Sequence, residues 1–151
     1  MQNVIANSRP LGALLNKRDQ FHARGVVFFR VHGAALRCHT TWEVVSEVMY
    51  FLDFNVDAQG DSLDWVHAGH ARGLMTITAL DPTDLPGLSK LVRKYADRPM
   101  DLVDASLLWL ANKTDITDII TVDRGVRRFG MYLWFDGCCA LWVSFPTNSS
   151  E

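Results

Sequence analysis

The chain has 151 residues, 48% of them hydrophobic, and a formal net charge of −2. That length supports one core burying roughly 68–70% of the unfolded surface, so a single domain over residues 1–145 with a flexible tail over 146–151 is expected. No run reaches the ~18 apolar residues of a membrane span, the opening lacks the basic-then-apolar order of a signal peptide, and there is no global basic signature; a soluble cytoplasmic protein is expected, whose nucleic-acid contacts must come from a local patch.

Val4 to Ala6 forms a short apolar strand, and Asn7-Ser8-Arg9-Pro10 follows with a cap at Asn7 or Ser8 and Pro10 in a first helical turn. Phe21 to Phe29 is compatible with a second helix, and Gly33 leads into a strand over Ala34 to Cys38. Thr40-Thr41-Trp42-Glu43 has the form of a capping box opening a helix over Val44 to Phe54, whose broad apolar stripe contains Glu47. Asp61 to Arg72 is the next predicted helix, Met75 to Leu80 a strand, and Thr83 to Tyr95 an amphipathic helix with Pro86 in its first turns. A helix over Leu102 to Lys113 and a strand over Ile119 to Val122 come next. Met131 to Phe135 and Ala140 to Phe145 then flank Asp136-Gly137 as a hairpin. Strands separated by helices predict an α/β fold with a mainly parallel central sheet.

Two carboxylates stand where carboxylates are costly. Asp104 interrupts a helical apolar run and Asp123 closes an apolar strand. An ionised group beside a core needs a partner, and aspartates at two element ends that can meet suggest a shared cation. In an open parallel sheet ligands gather outside the carboxyl ends of the strands, and four positions qualify: Asn7, Glu47, Asp104 and Asp123. Each also has a plainer reading. Asp101 serves as an N-cap with Asp104 favoured by the helix dipole, Asp123 begins a turn with Arg124, and Glu47 is a solvated helix residue. Ser8 is either a second cap or a contact to metal-bound water. Arg124, Arg127 and Arg128 are the local basic patch, read either as solvated surface or as phosphate contacts.

The remaining chemistry-bearing residues point elsewhere. Cys38, Cys138 and Cys139 lack zinc-type spacing and read as free thiols of the core. The five histidines show no metal-ligand pairing, His67 and His70 sharing only one helix face. Trp42, Trp65, Trp109, Trp134 and Trp142 are too scattered for a stacking platform and read as core or dimer-interface residues.

Taken in order, Asn7-Ser8-Arg9-Pro10-Leu11, Thr40-Thr41 followed by Glu47, Asp101-Leu-Val-Asp104-Ala105-Ser106-Leu107, Thr121-Val-Asp123-Arg124, and the ending Phe129-Gly130-Met131-Tyr132 with Phe135-Asp136-Gly137 resemble the PIN-domain ribonucleases, most closely the VapC-type toxins of toxin–antitoxin pairs. No one of these motifs is specific; their order and coverage are. The resemblance implies a PIN-like three-layer α/β/α sandwich with a C-terminal hairpin, usually a homodimer. It implies an endoribonuclease whose clustered acids hold Mg²⁺ or Mn²⁺, and a small cognate antitoxin as partner. Glu47, Asp104 and Asp123 match the second, third and fourth acids of the family, with Asp101 as auxiliary.

The first acid does not match. Asn7 stands where the family has an aspartate, and its amide oxygen can touch a cation but brings no charge. The resemblance therefore implies weakened metal affinity and little or no cleavage by this sequence, either a substitution that lets a toxic nuclease be produced or natural decay to a noncatalytic RNA- or partner-binding module. Two further departures concern substrate contacts. Arg124-Gly-Val-Arg127 replaces a frequent second aspartate, and Leu133 replaces an arginine.

Overall fold

The computed structural model describes residues 1–97, 100–121, 132–136 and 139–143. The predicted tail, Asp123 and the arginines at 124, 127 and 128 lie outside the described residues. Strand β1 (Gln2–Ala6) is the centre of a four-stranded sheet, flanked by β2 (Leu36–Thr41) and β4 (Ile119–Ile120), with β3 (Met75–Thr78) outside β2. All three pairings are parallel, with Val4 opposite Cys38, Cys38 opposite Met75 and Ile5 opposite Ile119. A strand buried on both faces reads as a continuous apolar run, and Val4, Ile5 and Ala6 are fully buried. The backbone of β5 (Tyr132–Asp136) and β6 (Cys139–Val143) forms the predicted antiparallel hairpin.

Among the described residues six helices complete the α/β/α sandwich: α1 (Ser8–Leu15) and α2 (His22–His32) after β1, α3 (Trp42–Phe51) and α4 (Val56–Ala71) after β2, and α5 (Leu85–Lys94) and α6 (Leu102–Thr114) after β3. The core joins β1 to Leu11 of α1, Val44 and Val48 of α3, Leu88 of α5, Leu107, Trp109 and Leu110 of α6, and Ile119 and Ile120 of β4. The connections step outward from β1 to β2 to β3 and then return to the far side of β1. That reversal makes a topological switch point between β1 and β4, and the crevice at their carboxyl ends is where such sheets bind ligands.

Several boundaries differ from the sequence reading. The second strand begins at Leu36, because Gly33–Ala35 closes a 3₁₀ turn. Helix α3 stops at Phe51, and Asp53 and Phe54 take left-handed φ of 49° and 56°, after which the Asn55 side chain accepts the Ala58 N–H at 2.9 Å and α4 starts at Val56, five residues ahead of the predicted Asp61. The capping box at Thr40–Glu43 does not form. Thr40 instead donates its hydroxyl to the Ala6 carbonyl at 3.0 Å, and Thr41 is the cap. A capping box does occur at Asp81 and Asp84, on the 3₁₀ turn Pro82–Asp84 that precedes α5.

Cys38 is buried as expected, and burial pushes its thiol up to about 11. Trp109 belongs to the core, while Trp42 is half exposed. His22, His39 and His70 bond to the Ala13 carbonyl, the Asn3 side chain and the Met75 carbonyl, all structural partners. Burial, and secondarily the neighbouring Arg37, holds His39 below the usual imidazole range.

Candidate active site

Asn7 is the first residue beyond β1, held at the switch point by its N–H, which donates to the Ile120 carbonyl of β4 at 3.1 Å. It is only 4% exposed, so its amide must be satisfied internally. Its Oδ1 accepts the Ser8 N–H at 2.7 Å, capping α1, and its Nδ2 lies a long 3.5 Å from the Thr121 hydroxyl at the end of β4. The amide therefore spans β1, α1 and β4 with no formal charge.

Ser8 connects this cap to α3. Its Oγ lies 3.2 Å from Asn7 Oδ1 and hydrogen-bonds Oε2 of Glu47. A hydroxyl has one proton and an ionised carboxylate is the stronger acceptor, so the proton points at Glu47. Glu47 is half-buried, on the face of α3 turned toward α1. Ser8 is thus both a helix residue of α1 and the hydrogen-bond partner that orients Glu47.

The start of α6 is brought to the same edge by a second hydroxyl pair. Ser106 donates to the Val103 carbonyl at 2.7 Å, which leaves its oxygen to accept from Thr41 at 2.8 Å, and Thr41 also accepts the Val44 N–H at 3.4 Å as cap of α3. Both residues are fully buried. One step away, Asp101 caps α6 with Oδ1 on the Asp104 N–H at 2.9 Å, and Asp104 lies half-buried in the first turn. Glu47 and Asp104 therefore sit on helices whose starts are bonded together, and Ser8 links Glu47 to the Asn7 cap. Of the expected acids Glu47, Asp104 and Asp101 are described and Asp123 is not; the sequence carried no sign of the long-range bonds made by the Thr40, Thr41 and Ser106 hydroxyls.

Among the described residues no group of three or more histidine, cysteine or acidic side chains converges, and Asp123, the fourth member of the expected set, lies outside them. The donors present are all oxygens: two carboxylates, the Asn7 amide and the Ser8 hydroxyl. Oxygen donors with one or two carboxylates fit Mg²⁺ or Mn²⁺ in kind. The Asn7 amide fits less well than a carboxylate, because it supplies no charge and its NH₂ occupies the position of a second acceptor oxygen.

The architecture is similar to a solved one. It superposes on the crystal structure of Mycobacterium tuberculosis VapC20, described as a Sarcin-Ricin loop cleaving toxin, with a TM-score of 0.67 and 14% sequence identity over 85% of this chain and 96% of that chain. No protein-family model and no curated protein sequence matches the chain. At that identity the likeness is one of fold, and the chain is PIN-like and VapC-like in architecture. Among the described residues no helix is long and apolar enough to cross a membrane.

Proposed function

We propose that this chain is built as a divalent-metal-dependent endoribonuclease of the VapC type and is impaired by Asn7. The observation that carries the reading is the bridge from Asn7 through Ser8 to Glu47 at the switch-point crevice of a VapC-like fold. Glu47, Asp104 and Asp123 are the residues that would hold Mg²⁺ or Mn²⁺, with Asp101 supporting through the Asp104 backbone. When bound, such an ion lowers the pKa of a water and offsets charge building on the phosphate. The chain's own part is positioning: Ser8 fixes the Glu47 carboxylate, and the Thr41–Ser106 bond fixes α6 against α3. Arg124, Arg127 and Arg128 are the proposed phosphate contacts, RNA the substrate, and a small antitoxin and a second copy of the chain the proposed partners.

A second reading is favoured by one observation. The Asn7 amide already completes its capping bonds without any charge, which suits a noncatalytic PIN-like module that binds RNA or a partner.

The substitution Asn7→Asp separates the two. A carboxylate there keeps the Ser8 cap and accepts from Thr121, but shares Ser8 with Glu47; at ~5 Å and an effective dielectric of ~20 the two charges repel by roughly 3 kcal/mol. The aspartate form should melt lower than the parent without metal and recover as Mn²⁺ is added, by about 2.7 kcal/mol at a hundredfold excess over Kd. It should also bind the ion in calorimetry and cut a structured RNA pool that includes a sarcin–ricin-loop hairpin. Failure to bind and to cut would refute the nuclease reading and leave the binding module.

A further inference from the structure

Arg9, the residue after Ser8, is exposed, and its guanidinium carbon sits 4.8 Å from the centroid of the Phe51 ring at the end of α3. Ser8 meets Glu47 on that same helix, and Glu47 and Phe51 are four residues apart, neighbours along one face. The guanidinium is therefore about one helical turn from the carboxylate, yet among the described residues its contact is the ring and not an acid. The ring lies against Gly12, where a Cβ would come within 2.9 Å of Phe51 Cδ2, so it occupies this place because position 12 has no side chain.

This arrangement suits an anion that spans the crevice mouth. An interaction through the ring face consumes none of the five guanidinium N–H donors, and the ring restricts a side chain that otherwise loses considerable rotamer freedom on binding. A polyanion whose reacting phosphate lies at Glu47 has its neighbouring phosphates several ångströms away, and Arg9 stands about one helical turn from that carboxylate. We infer that Arg9, fixed over Phe51, is a substrate-positioning residue that contacts an RNA phosphate flanking the site. The inference rests on the proposed nuclease reading and adds a cation on the α1–α3 side, opposite in the chain from the arginines at 124 to 128.

The experiment measures binding of a structured RNA across a salt series for this chain, Arg9→Ala, Arg9→Lys and Phe51→Leu, with KM and kcat for the same substitutions in the Asn7→Asp form. Loss of one charge-assisted phosphate contact should weaken binding roughly tenfold and make the slope of log K against log salt shallower by about 0.7–0.9. Arg9→Lys should restore the slope but not the full affinity, and Phe51→Leu should weaken binding while leaving the slope near the parent's. In the cleaving form Arg9→Ala should raise KM several-fold with kcat within about twofold. If the Asn7→Asp form cuts RNA and Arg9→Ala changes neither slope nor KM, the role of Arg9 is overturned and the nuclease reading stands. If that form neither binds nor cuts RNA, both fall. Melting curves distinguish misfolding, and a fold-disrupting loss at Arg9→Ala with no rescue by lysine also overturns the inference.

Discussion

The hydroxyl pair Thr41–Ser106 is the smallest feature on which the site geometry depends, and its two halves are unequal. Ser106→Ala deletes the acceptor of the Thr41 proton, 2.8 Å away and shielded from water, and also a donor to the Val103 carbonyl. The carbonyl keeps its helical partner, so the main cost is a buried hydroxyl left without an acceptor, about 1–3 kcal/mol. Thr41→Val leaves Ser106 still donating to Val103 and loses the α3 cap; because that cap bond is long, 3.4 Å, the loss belongs at the low end of the usual range, about 0.5–1 kcal/mol. At ~2–4 °C per kcal/mol for a chain of this size, Ser106→Ala should lower Tm by roughly 2–12 °C and Thr41→Val by about 1–4 °C. The double variant should fall short of the sum by about 1 kcal/mol, since the unsatisfied hydroxyl that makes Ser106→Ala costly is gone once Thr41 is valine. Thermal melts and urea titrations of the four proteins supply the cycle. A Ser106→Ala protein within 1 °C of the parent, or strictly additive effects, would show that the pair does not hold α6 to α3.

Two further outcomes follow from close packing and burial. Gly12→Ala improves intrinsic helix propensity by about 1 kcal/mol, yet its Cβ would lie 2.9 Å from Phe51; a lower Tm together with weakened RNA binding is expected because the ring is displaced, and a raised Tm with unchanged binding would refute this. For Cys38, burial lifts the thiol from 9.0 to about 11, so the unfolded chain loses its proton first and stability should fall as pH rises through that window, by up to roughly 2–3 kcal/mol. Urea unfolding from pH 8 to 11 on a Cys138→Ser, Cys139→Ser background, with Cys38→Ala losing the dependence, tests this. Rapid labelling of native Cys38 at pH 8 would contradict it.

What was legible in the sequence depended on whether the signal was local. Strand β1 and helix α6 announce themselves as an uninterrupted apolar run and as a capped apolar segment behind Asp101, and their order with the intervening helices was enough to predict a parallel sheet. The second strand was misplaced because Ala34 and Ala35 carry no directional pattern, whereas Leu36, Cys38 and Thr40 are buried and Arg37 is exposed, a period of two that begins only at Leu36. The capping box at Thr40 failed because a non-local acceptor, the Ala6 carbonyl, claims that hydroxyl. Site residues showed the same division. The candidate acids stand out by their awkward apolar surroundings, but Ser8 reaching Glu47 spans 39 positions and Thr41 reaching Ser106 spans 65, so these contacts have no local signature.

The position of Asn7 separates what the scaffold needs from what metal chemistry needs. As a cap it must present one acceptor oxygen to the Ser8 N–H, and an amide does this as well as a carboxylate. Its other half meets a threonine hydroxyl, which accepts from an amide or donates to a carboxylate with no change of shape. The fold is therefore nearly indifferent to which of the two residues stands there. The crevice is not, because a carboxylate would share Ser8 with Glu47 and require a cation to offset the pair. A neutral residue at this one position removes the repulsion while keeping every structural bond, so the metal-free scaffold is more stable with asparagine than with aspartate. The same bonds that make the amide harmless to folding make the reverse substitution informative, since any gain of metal response on Asn7→Asp comes from the added charge and not from a rebuilt site.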